Sequence, residues 1–396
     1  MTVTADEAAR WPALDAVGQT PCLVIDVAVA AAQFRRIAAA FPAGRVYYAV
    51  KANPEPALVR RLVAAGCRFD VASPSEIDLC LDAGADPATL SYGNTIKKAK
   101  DIAYAYRRGV RLFAFDSWAE LDKLAIHAPE ASVLCRVLAS SRGARWPLSR
   151  KFGCAPEMAV DLLRRAARLG LDPAGIAFHV GSQQLTPARW EPSVALAAGI
   201  FARLGAEGIH LRILDAGGGF PVDYLARAAP IEEYATAVDD AIGRHFGDGP
   251  GRPELMIEPG RYIAAPAGVL HTEVVLISQK SYAIEPRWVY LDVGRFGGLA
   301  ETEGEAIQYR LTTPHDGSNR LGPVILAGPT CDSVDILYER TRYELPLALQ
   351  VGDVLRIEGA GAYTATYASV GFNGFPPLRT VCTDSADPIP APRTGD

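Results

Sequence analysis

Short apolar runs alternate with amphipathic segments along the first two thirds of the chain. The run VYYAV at residues 46–50 is β-branched and aromatic, which is typical of a buried strand. It is followed by PALVRRLVAAG, in which apolar positions recur every three or four residues, as on the packed face of a helix. The alternation continues to Arg261 and gives eight strand candidates, most of them followed by a helix candidate. These strand candidates are YYAVK, RFDVAS, TLSYG, RLFAFD, SVLCRV, GIAFHVGS, HLRILDAGGGF and ELMIEPGR.

Alternating strands and helices indicate parallel strands joined by helical crossovers. For this number of repeats a closed (β/α)8 TIM-like barrel over residues 27–265 fits better than an open doubly wound sheet. The open sheet stays the alternative, because periodicity alone does not prove that a sheet closes.

The pattern changes after about Ile263. The segments TEVVLISQKSY, WVYLDVG, PVILAGP, DVLRIEGAGAYT and RTVCTD are strand-like and have no helices between them. They predict an antiparallel β domain, a sandwich or barrel, over residues 266–396. The early segment PCLVIDV is expected to join it, so that residues 1–26 belong to the same domain. The proline-rich segment DPIPAPRTGD is expected to be a frayed tail.

The composition of the chain argues against several classes of binding partner and cofactor. The chain has 396 residues and a formal net charge of -5, which argues against a nucleic-acid or anionic-membrane surface. No apolar run is long enough to span a bilayer, and the start of the chain lacks the features of a signal peptide. The seven cysteines are scattered singly with no CxxC pair, so we predict no metal site and reduced thiols in the cytoplasm.

The carboxyl ends of barrel strands build the active site in this fold. Here they carry an amine, an imidazole, a triple-glycine turn and an acid close to an arginine: Lys51, Asp70, Arg136, His179 with Gly181 and Ser182, Gly217 to Gly219, and Glu258 with Arg261. A pyridoxal phosphate site needs an amine for the Schiff base, backbone N–H groups and an arginine for the phosphate, and a carboxylate that keeps the pyridine nitrogen protonated.

Each of these residues also has an ordinary structural explanation. Lys51 could simply reach solvent, His179 could lie in the core, and the glycines could form a tight turn that does not match GxGxxG. Glu258 and Arg261 could form a plain salt bridge, and Cys331 could be a small buried apolar residue. Their coincidence on the strand ends favours the cofactor site.

The motifs YAVKAN, FDVAS, KFG, HVGS, DAGGGFP and EPGRY occur in this order, followed by GPTCDSVD, GAYT and FNGF in the β domain. In this series the chain resembles the fold-type III pyridoxal phosphate-dependent decarboxylases, which share the alanine racemase-like fold, from about Thr20 to about Cys382. TCDSVD and FNGF resemble the ornithine decarboxylase branch more than the diaminopimelate branch.

The resemblance implies a role for each position. Lys51 would bind the cofactor aldehyde, His179 would stack on the pyridine ring, and Glu258 would pair with the pyridine nitrogen. Asp70 and Arg136 would order the region around the lysine and the ring. The remaining cofactor-binding positions, most of them at the phosphate, are Ser182, Gly218, Gly219, Gly260, Arg261 and Tyr363.

The resemblance also implies a homodimer with composite active sites. Cys331 and Asp332 would enter from the partner subunit, the thiol to protonate the substrate carbon and the carboxylate to meet the substrate amine. Phe372 would help to wall the site. An acid on a short helix would hold the distal ammonium, and here three candidates follow the Gly297-Gly298 turn: Glu301, Glu303 and Glu305. We expect Glu301, the closest to the turn, to be the substrate-binding acid.

The expected activity is decarboxylation of a basic L-amino acid, foremost ornithine to putrescine and CO₂ in polyamine biosynthesis, with lysine as a second substrate. Three alternatives stay open: a decarboxylase of lysine, arginine or diaminopimelate, an amino-acid racemase on the same fold, and a non-catalytic cofactor-binding regulator. The intact Lys51, Cys331 and Asp332 argue against the last of these.

Overall fold

The computed structural model describes residues 18–148, 151–282 and 286–385. They form two compact units. One contains residues 31–221 and 228–263, and the other contains residues up to 30, residues 222–227 and residues from 264 onwards. The segment DPIPAPRTGD, predicted to be a frayed tail, lies outside the described residues. Within the described ranges no helix is long and apolar enough to cross a membrane.

The strands are numbered in chain order: β1 (Cys22–Asp26), β2 (Gly44–Ala49), β3 (Arg68–Val71), β4 (Leu90–Tyr92), β5 (Leu112–Phe115), β6 (Ser132–Arg136), β7 (Ala144–Trp146), β8 (Asp172–Ala177), β9 (Ser182–Gln184), β10 (Ile213–Asp215), β11 (Glu254–Ile257), β12 (Gly268–Ser278), β13 (Arg287–Leu291), β14 (Arg310–Thr312), β15 (Leu321–Ala327), β16 (Ile336–Pro346), β17 (Val354–Glu358) and β18 (Arg379–Thr383). The α-helices are α1 (Val27–Ala40), α2 (Pro56–Ala64), α3 (Pro74–Asp82), α4 (Ala99–Arg107), α5 (Trp118–His127), α6 (Pro156–Arg168), α7 (Glu191–Gly205), α8 (Ile231–Phe246) and α9 (Arg261–Ala264).

The first unit is a closed barrel of eight parallel strands in the order β10-β11-β2-β3-β4-β5-β6-β8. The predicted (β/α)8 barrel is therefore confirmed, and the open sheet is excluded. Its interior holds a packed cluster that includes Tyr47, Leu134 and Met256. Because a barrel of this size is filled by side chains, its chemistry is confined to the loops at the strand ends.

Strand register aligns the polar residues at one end of the barrel. Asp70, on β3, lies opposite Ala49, the last residue of β2. Ala177 ends β8 and lies opposite both Arg136 on β6 and Asp215 on β10. All these positions are at carboxyl ends of parallel strands, so their side chains share one rim of the barrel.

The second unit is built on an eight-stranded sheet with the path β14-β17-β12-β13-β15-β16 and with β1 and β18 at its side. Most neighbours are antiparallel, as predicted, although β13 pairs with β15 and β1 pairs with β18 in parallel. The segment PCLVIDV contains β1, which pairs with both β12 and β18. β14 and β16 were not predicted from the sequence.

Candidate active site

Lys51 stands just beyond β2, in the 3-10 turn Val50–Ala52, and not within the strand itself. Its Nζ lies 2.6 Å from Oδ2 of Asp70, whose side chain is only 3% exposed, whereas the lysine side chain is 47% exposed. The turn thus holds the amine at the barrel mouth beside a buried carboxylate. The other carboxylate oxygen of Asp70, Oδ1, is buried without a hydrogen-bond partner among the described residues.

A cluster of acidic side chains surrounds this pair. Burial raises the pKa of Glu258 well above its ordinary value, and the nearby Asp215 and Asp70 raise it further. Burial also raises the pKa of Asp215 to about 7, although the Gly217 N–H, 2.9 Å from its Oδ1, works in the opposite direction. Buried carboxylates that repel one another tend to keep a proton. A cationic ring nitrogen placed beside Glu258 would favour its ionised form.

Gly217, Gly218 and Gly219 form a loop that follows β10. Gly217 and Gly219 have φ angles of +66° and +102°, which residues with a side chain rarely adopt. A Cβ on Gly218 would lie 2.5 Å from the Glu258 carbonyl oxygen and 3.3 Å from Nε2 of His179. The loop therefore brings bare backbone against the main chain of Glu258 and the imidazole of His179, a cradle that any side chain would fill.

Arg261 and Ser182 lie together beside the cradle. The guanidinium of Arg261, a residue that is 3% exposed, donates from Nε and Nη2 to the Ser182 hydroxyl at 3.2 and 3.1 Å. Gly260 immediately precedes α9, and its carbonyl oxygen accepts a hydrogen bond from the Ile263 N–H at 3.1 Å. A Cβ on Gly219 would collide with the carbonyl oxygen of Gly181, the residue before Ser182. A guanidinium, a hydroxyl and glycine N–H groups form a donor set suited to a phosphate.

His179 accepts a hydrogen bond from the Gly181 N–H on Nδ1 at 3.0 Å. Burial lowers the pKa of its imidazole well below the ordinary value, and the cations of Arg136 and Lys51 lower it further. The ring is therefore neutral at physiological pH and carries its proton on Nε2. Arg136 and His179 line a cavity of about 440 Å³ together with Lys151 and Phe152 of the KFG motif.

These residues meet the requirements of pyridoxal phosphate. Lys51 would supply the amine, Glu258 would supply the acid, and the Gly217–Gly219 loop with Ser182 and Arg261 would supply the anion site. The Asp70 oxygen that lacks a partner is a further buried acceptor in the same cluster. The structure brings together ten of the predicted site residues at this barrel rim: Lys51, Asp70, Arg136, His179, Ser182, Gly218, Gly219, Glu258, Gly260 and Arg261.

The other predicted residues belong to the second unit. Cys331 and Asp332 are both exposed, on the loop between β15 and β16. The Cys331 N–H donates to the side-chain oxygen of Asn373 at 3.0 Å, which ties this loop to the FNGF motif. Within that motif Phe372 packs on Phe296, with ring centroids 4.4 Å apart. Tyr363 has a φ of +57°, a strained backbone conformation for a tyrosine.

The structure separates the three candidate acids of the segment Ala300–Glu305. Glu301 is 1% exposed, whereas Glu303 is exposed to solvent. Glu305 accepts hydrogen bonds from the backbone N–H groups of Glu339, Arg340 and Thr341 and from the Thr341 hydroxyl. Burial alone would raise the pKa of Glu305, but these hydrogen bonds outweigh it and hold the pKa at about 2. Glu305 is thus bound to β16, and Glu301 is the buried acid.

Three residues of the barrel rim were not predicted from the sequence: Glu76, Gly93 and Asp215. Glu76 accepts a hydrogen bond from the Ala72 N–H at 2.6 Å, and burial raises its pKa to about 7. A Cβ on Gly93 would collide with Asp70 and would lie 3.4 Å from Oε1 of Glu258. Asp215 could have been recognised from the sequence, because it is the first residue of the DAGGG motif. Gly93 could not, because the residues it would contact, Asp70 and Glu258, lie on or just beyond strands distant in the sequence.

Comparison with protein families agrees with this geometry. Residues 28–265, more than half of the chain, match the family described as pyridoxal-dependent decarboxylase, pyridoxal binding domain. The lysine/ornithine decarboxylase of Selenomonas ruminantium is 35% identical over 357 residues, which cover 90% of this chain and 88% of that protein. The chloroplastic ornithine decarboxylase of Nicotiana glauca is 34% identical over 370 residues, which cover 90% and 82%.

Solved structures give the same result. The crystal structure of the lysine/ornithine decarboxylase from Vibrio vulnificus complexed with putrescine matches with a TM-score of 0.85 at 30% sequence identity. The match covers 96% of this chain and 99% of that chain. The similarity therefore includes both units and not the barrel alone.

Proposed function

Because the chain belongs to the pyridoxal-dependent decarboxylases, we propose that it removes the α-carboxylate of a basic L-amino acid, with ornithine as the first substrate and lysine as the second. Its cofactor is pyridoxal phosphate. The products of the proposed reactions are CO₂ and a diamine, which is putrescine from ornithine, a starting material for polyamines. A cytoplasmic location is part of the proposal, supported by seven free cysteine thiols.

The observation that supports a basic substrate is the burial of Glu301. A distal ammonium is costly to desolvate unless a carboxylate meets it. Of the three acids in the segment, Glu303 faces solvent and Glu305 is committed to the backbone of β16. We assign Glu301 as the acid that meets the distal ammonium. The assignment agrees with the lysine/ornithine relatives, whose substrates both end in an ammonium group.

Within the barrel, each residue has a distinct proposed task. Bound pyridoxal phosphate supplies a ring that draws electrons away from the substrate carbon as CO₂ leaves. Lys51 supplies the amine that binds the cofactor aldehyde, and Asp70 orients that amine. Glu258 keeps the ring nitrogen protonated. His179, as a neutral ring, can lie against the cationic pyridine without charge repulsion.

The phosphate is assigned to the glycine loop and its neighbours: Ser182, Gly218, Gly219, Gly260, Arg261 and Tyr363. Arg136 is assigned the task of ordering the side chains around the cofactor ring.

A second part of the proposal is a homodimer in which the partner subunit completes each site. Cys331 would donate the proton to the substrate carbon, Asp332 would bind the substrate amine, and Phe372 would wall the cavity. The support is the exposure of Cys331 and Asp332, together with the exposure of an apolar side chain in the same loop, Val334 by 52%, and of another just before the FNGF motif, Val370 by 87%. Such apolar exposure is typical of a surface that a second subunit covers.

The direct test is CO₂ release from a panel of L-amino acids. Ornithine should react best, lysine next, and arginine and diaminopimelate poorly. Norvaline, which is ornithine without the distal amine, is the matched control and should react at least about a hundredfold more slowly, because it has no ammonium to pair with the Glu301 carboxylate. Equal rates for norvaline and ornithine would refute the assignment of Glu301. Racemisation without CO₂ release would identify a racemase, and no turnover at all would identify a regulator.

A further inference from the structure

The indole of Trp190 holds both ends of the Gly217–Gly219 loop. Trp190 immediately precedes α7 and is completely buried. Its Nε1–H donates to the carbonyl oxygen of Ala216, the residue before the loop, at 3.2 Å. Its ring stacks on Phe220, the residue after the loop, with centroids 5.0 Å apart and planes 19° from parallel. One side chain thus fixes the chain where it enters the glycines and where it leaves them.

A loop of three glycines needs such restraint. Glycine has more backbone freedom to lose than any other residue, and two of these three occupy the left-handed region. Within the rim, the Gly217 N–H donates to Asp215 and the Gly219 carbonyl accepts from the Gln184 N–H, each at 2.9 Å. These bonds hold the loop from the side of the barrel rim. Trp190 holds the two flanking residues.

The indole itself is fixed by a layer of aromatic rings. Tyr234 of α8 meets it edge-on with centroids 5.7 Å apart, and the same tyrosine meets Phe220 edge-on at 6.4 Å. Phe41 contacts the other rings through Phe220, again edge to face, at 5.4 Å. Edge-to-face packing of this kind restricts the orientation of each ring. The Nε1–H is therefore directed at Ala216 by the whole layer.

We propose that Trp190 is a positioning residue for the cofactor phosphate: it preorganises the glycine loop so that its N–H groups are ordered before the phosphate binds. The inference rests on pyridoxal phosphate as the cofactor and not on the identity of the amino-acid substrate. If the loop lost this restraint, the cost of ordering it would be paid at binding, and affinity for the phosphate would fall.

The test compares pyridoxal 5′-phosphate with pyridoxal, which has the aldehyde and the ring but no phosphate. Dissociation constants of both are measured by absorbance on apoprotein prepared from wild type and from Trp190→Phe. The substitution keeps a ring that can stack on Phe220 and removes the N–H that binds Ala216. We expect the affinity for pyridoxal phosphate to fall about three- to tenfold, as the loss of one hydrogen bond implies, and the affinity for pyridoxal to change less than twofold.

Trp118→Phe is the matched control, because Trp118 starts α5 and is 42% exposed. It should change neither dissociation constant. Equal weakening of both ligands in Trp190→Phe would indicate general structural damage and would overturn the proposal, as would no change in either.

Should Trp190→Phe fail to fold, Phe220→Leu removes the stacking partner while the indole stays. It should produce the same loss, confined to the phosphate-bearing ligand, and an equal loss for both ligands would again refute the proposal. Because no amino-acid substrate is present in these titrations, their outcome is independent of whether ornithine is decarboxylated.

Discussion

The two groups of candidate residues differ in how much of their environment their own unit supplies. At the barrel rim, Lys51 pairs with the carboxylate of Asp70, and Asp215 accepts a hydrogen bond from the Gly217 N–H. Arg261 donates to the Ser182 hydroxyl. All these partners belong to the barrel unit. On the β unit, Cys331 and Asp332 are exposed. The Cys331 N–H donates to the side chain of Asn373, and the Asp332 carboxylate accepts from the backbone N–H of Val334.

This difference separates residues that are already oriented from residues that are not. The barrel residues have contacts within their own unit that orient them, and in our proposal they supply every cofactor contact except that of Tyr363. The exposed residues of the β unit carry a thiol and a carboxylate but have few neighbours that would set their geometry. They need a second surface, which in our proposal is the barrel of a partner subunit.

The largest effect is expected from Lys51→Ala, which tests the role of the barrel residues. Loss of the amine that binds the cofactor aldehyde should reduce CO₂ release roughly a thousandfold, an effect as large as the loss of a catalytic acid or base. The protein should stay folded, because the lysine side chain is half exposed. Lys98→Ala, at an exposed lysine before α4, should leave the rate unchanged. Near-normal turnover by Lys51→Ala without added amine would contradict the assignment.

The β side is tested by mixing two inactive variants, Lys51→Ala and Cys331→Ala. If each site uses the lysine of one subunit and the cysteine of the other, a mixed dimer has one intact site. Random exchange should then return about one quarter of wild-type activity, since half of the dimers are mixed and each has one good site out of two. Subunit exchange, followed by mass labelling, without any gain in CO₂ release would rule out shared sites.

Substrate recognition on the β unit is tested with Glu301→Gln. Leaving the distal ammonium without a charge partner should lower kcat/KM for ornithine and lysine about a hundredfold or more, while the absorbance of the bound cofactor stays the same. Glu303→Gln is the matched control and should behave as wild type, because Glu303 faces solvent. A normal kcat/KM in Glu301→Gln would remove this residue from the proposed substrate site.

Glu305→Gln should affect stability and not recognition. Because its pKa is about 2 in the folded chain against an ordinary 4.5, the ionised carboxylate stabilises the fold fully above pH 4.5, and this stabilisation is lost as the pH falls towards 2. Substitution should lower the melting temperature at pH 7 by about 5 °C and remove this acid dependence. Thermal melting between pH 3 and pH 7 measures both. A melting curve identical to wild type would show that the hydrogen bonds to β16 contribute little.

The smallest expected effect concerns Asp215→Asn in the apoprotein. A carboxyl whose pKa rises from 3.8 to about 7 on folding stabilises the fold most below pH 3.8, and the contribution is lost as the pH rises through 7. The decline is at most about 1.4 kcal/mol per pH unit for one proton. Asp215→Asn should flatten the fall of melting temperature between pH 4 and pH 7, and Asp240→Asn, at an exposed acid, should not. Parallel curves for all three proteins would exclude a raised pKa at Asp215.

Much of the barrel could be predicted from the sequence, because each buried parallel strand is a nearly continuous apolar run. β16 could not, since its sequence ILYERTRYELP carries four charged residues. In the second half of this strand successive side chains point to opposite faces, so that Arg342 and Glu344 are exposed while Tyr343 and Leu345 are buried. Charged residues on the solvent face of a half-buried strand conceal it from a search for apolar runs.

The acid cluster shows a different limit. Ser73 caps α3 and Glu76 lies three positions later, a spacing typical of a helix start, which by itself accounts for the glutamate. Its nearness to Asp70 and Lys51 follows from barrel closure, which no local pattern encodes. The same limit applies to Trp190. Its hydrogen bond to Ala216 joins residues that are 26 positions apart in the sequence.

The position of β1 in the sheet has a consequence for how the chain folds during synthesis. β1 pairs with β12, which follows the whole barrel in sequence, and with β18, where Thr383 bonds to Ile25 across 358 residues. At about 5–20 residues per second, a ribosome needs roughly 20–70 s to make that intervening stretch. The eight barrel strands do not include β1, so the barrel can close while β1, with all five residues destined for burial, still waits for its neighbours. During this interval a nascent chain exposes an unpaired apolar strand that a chaperone could bind.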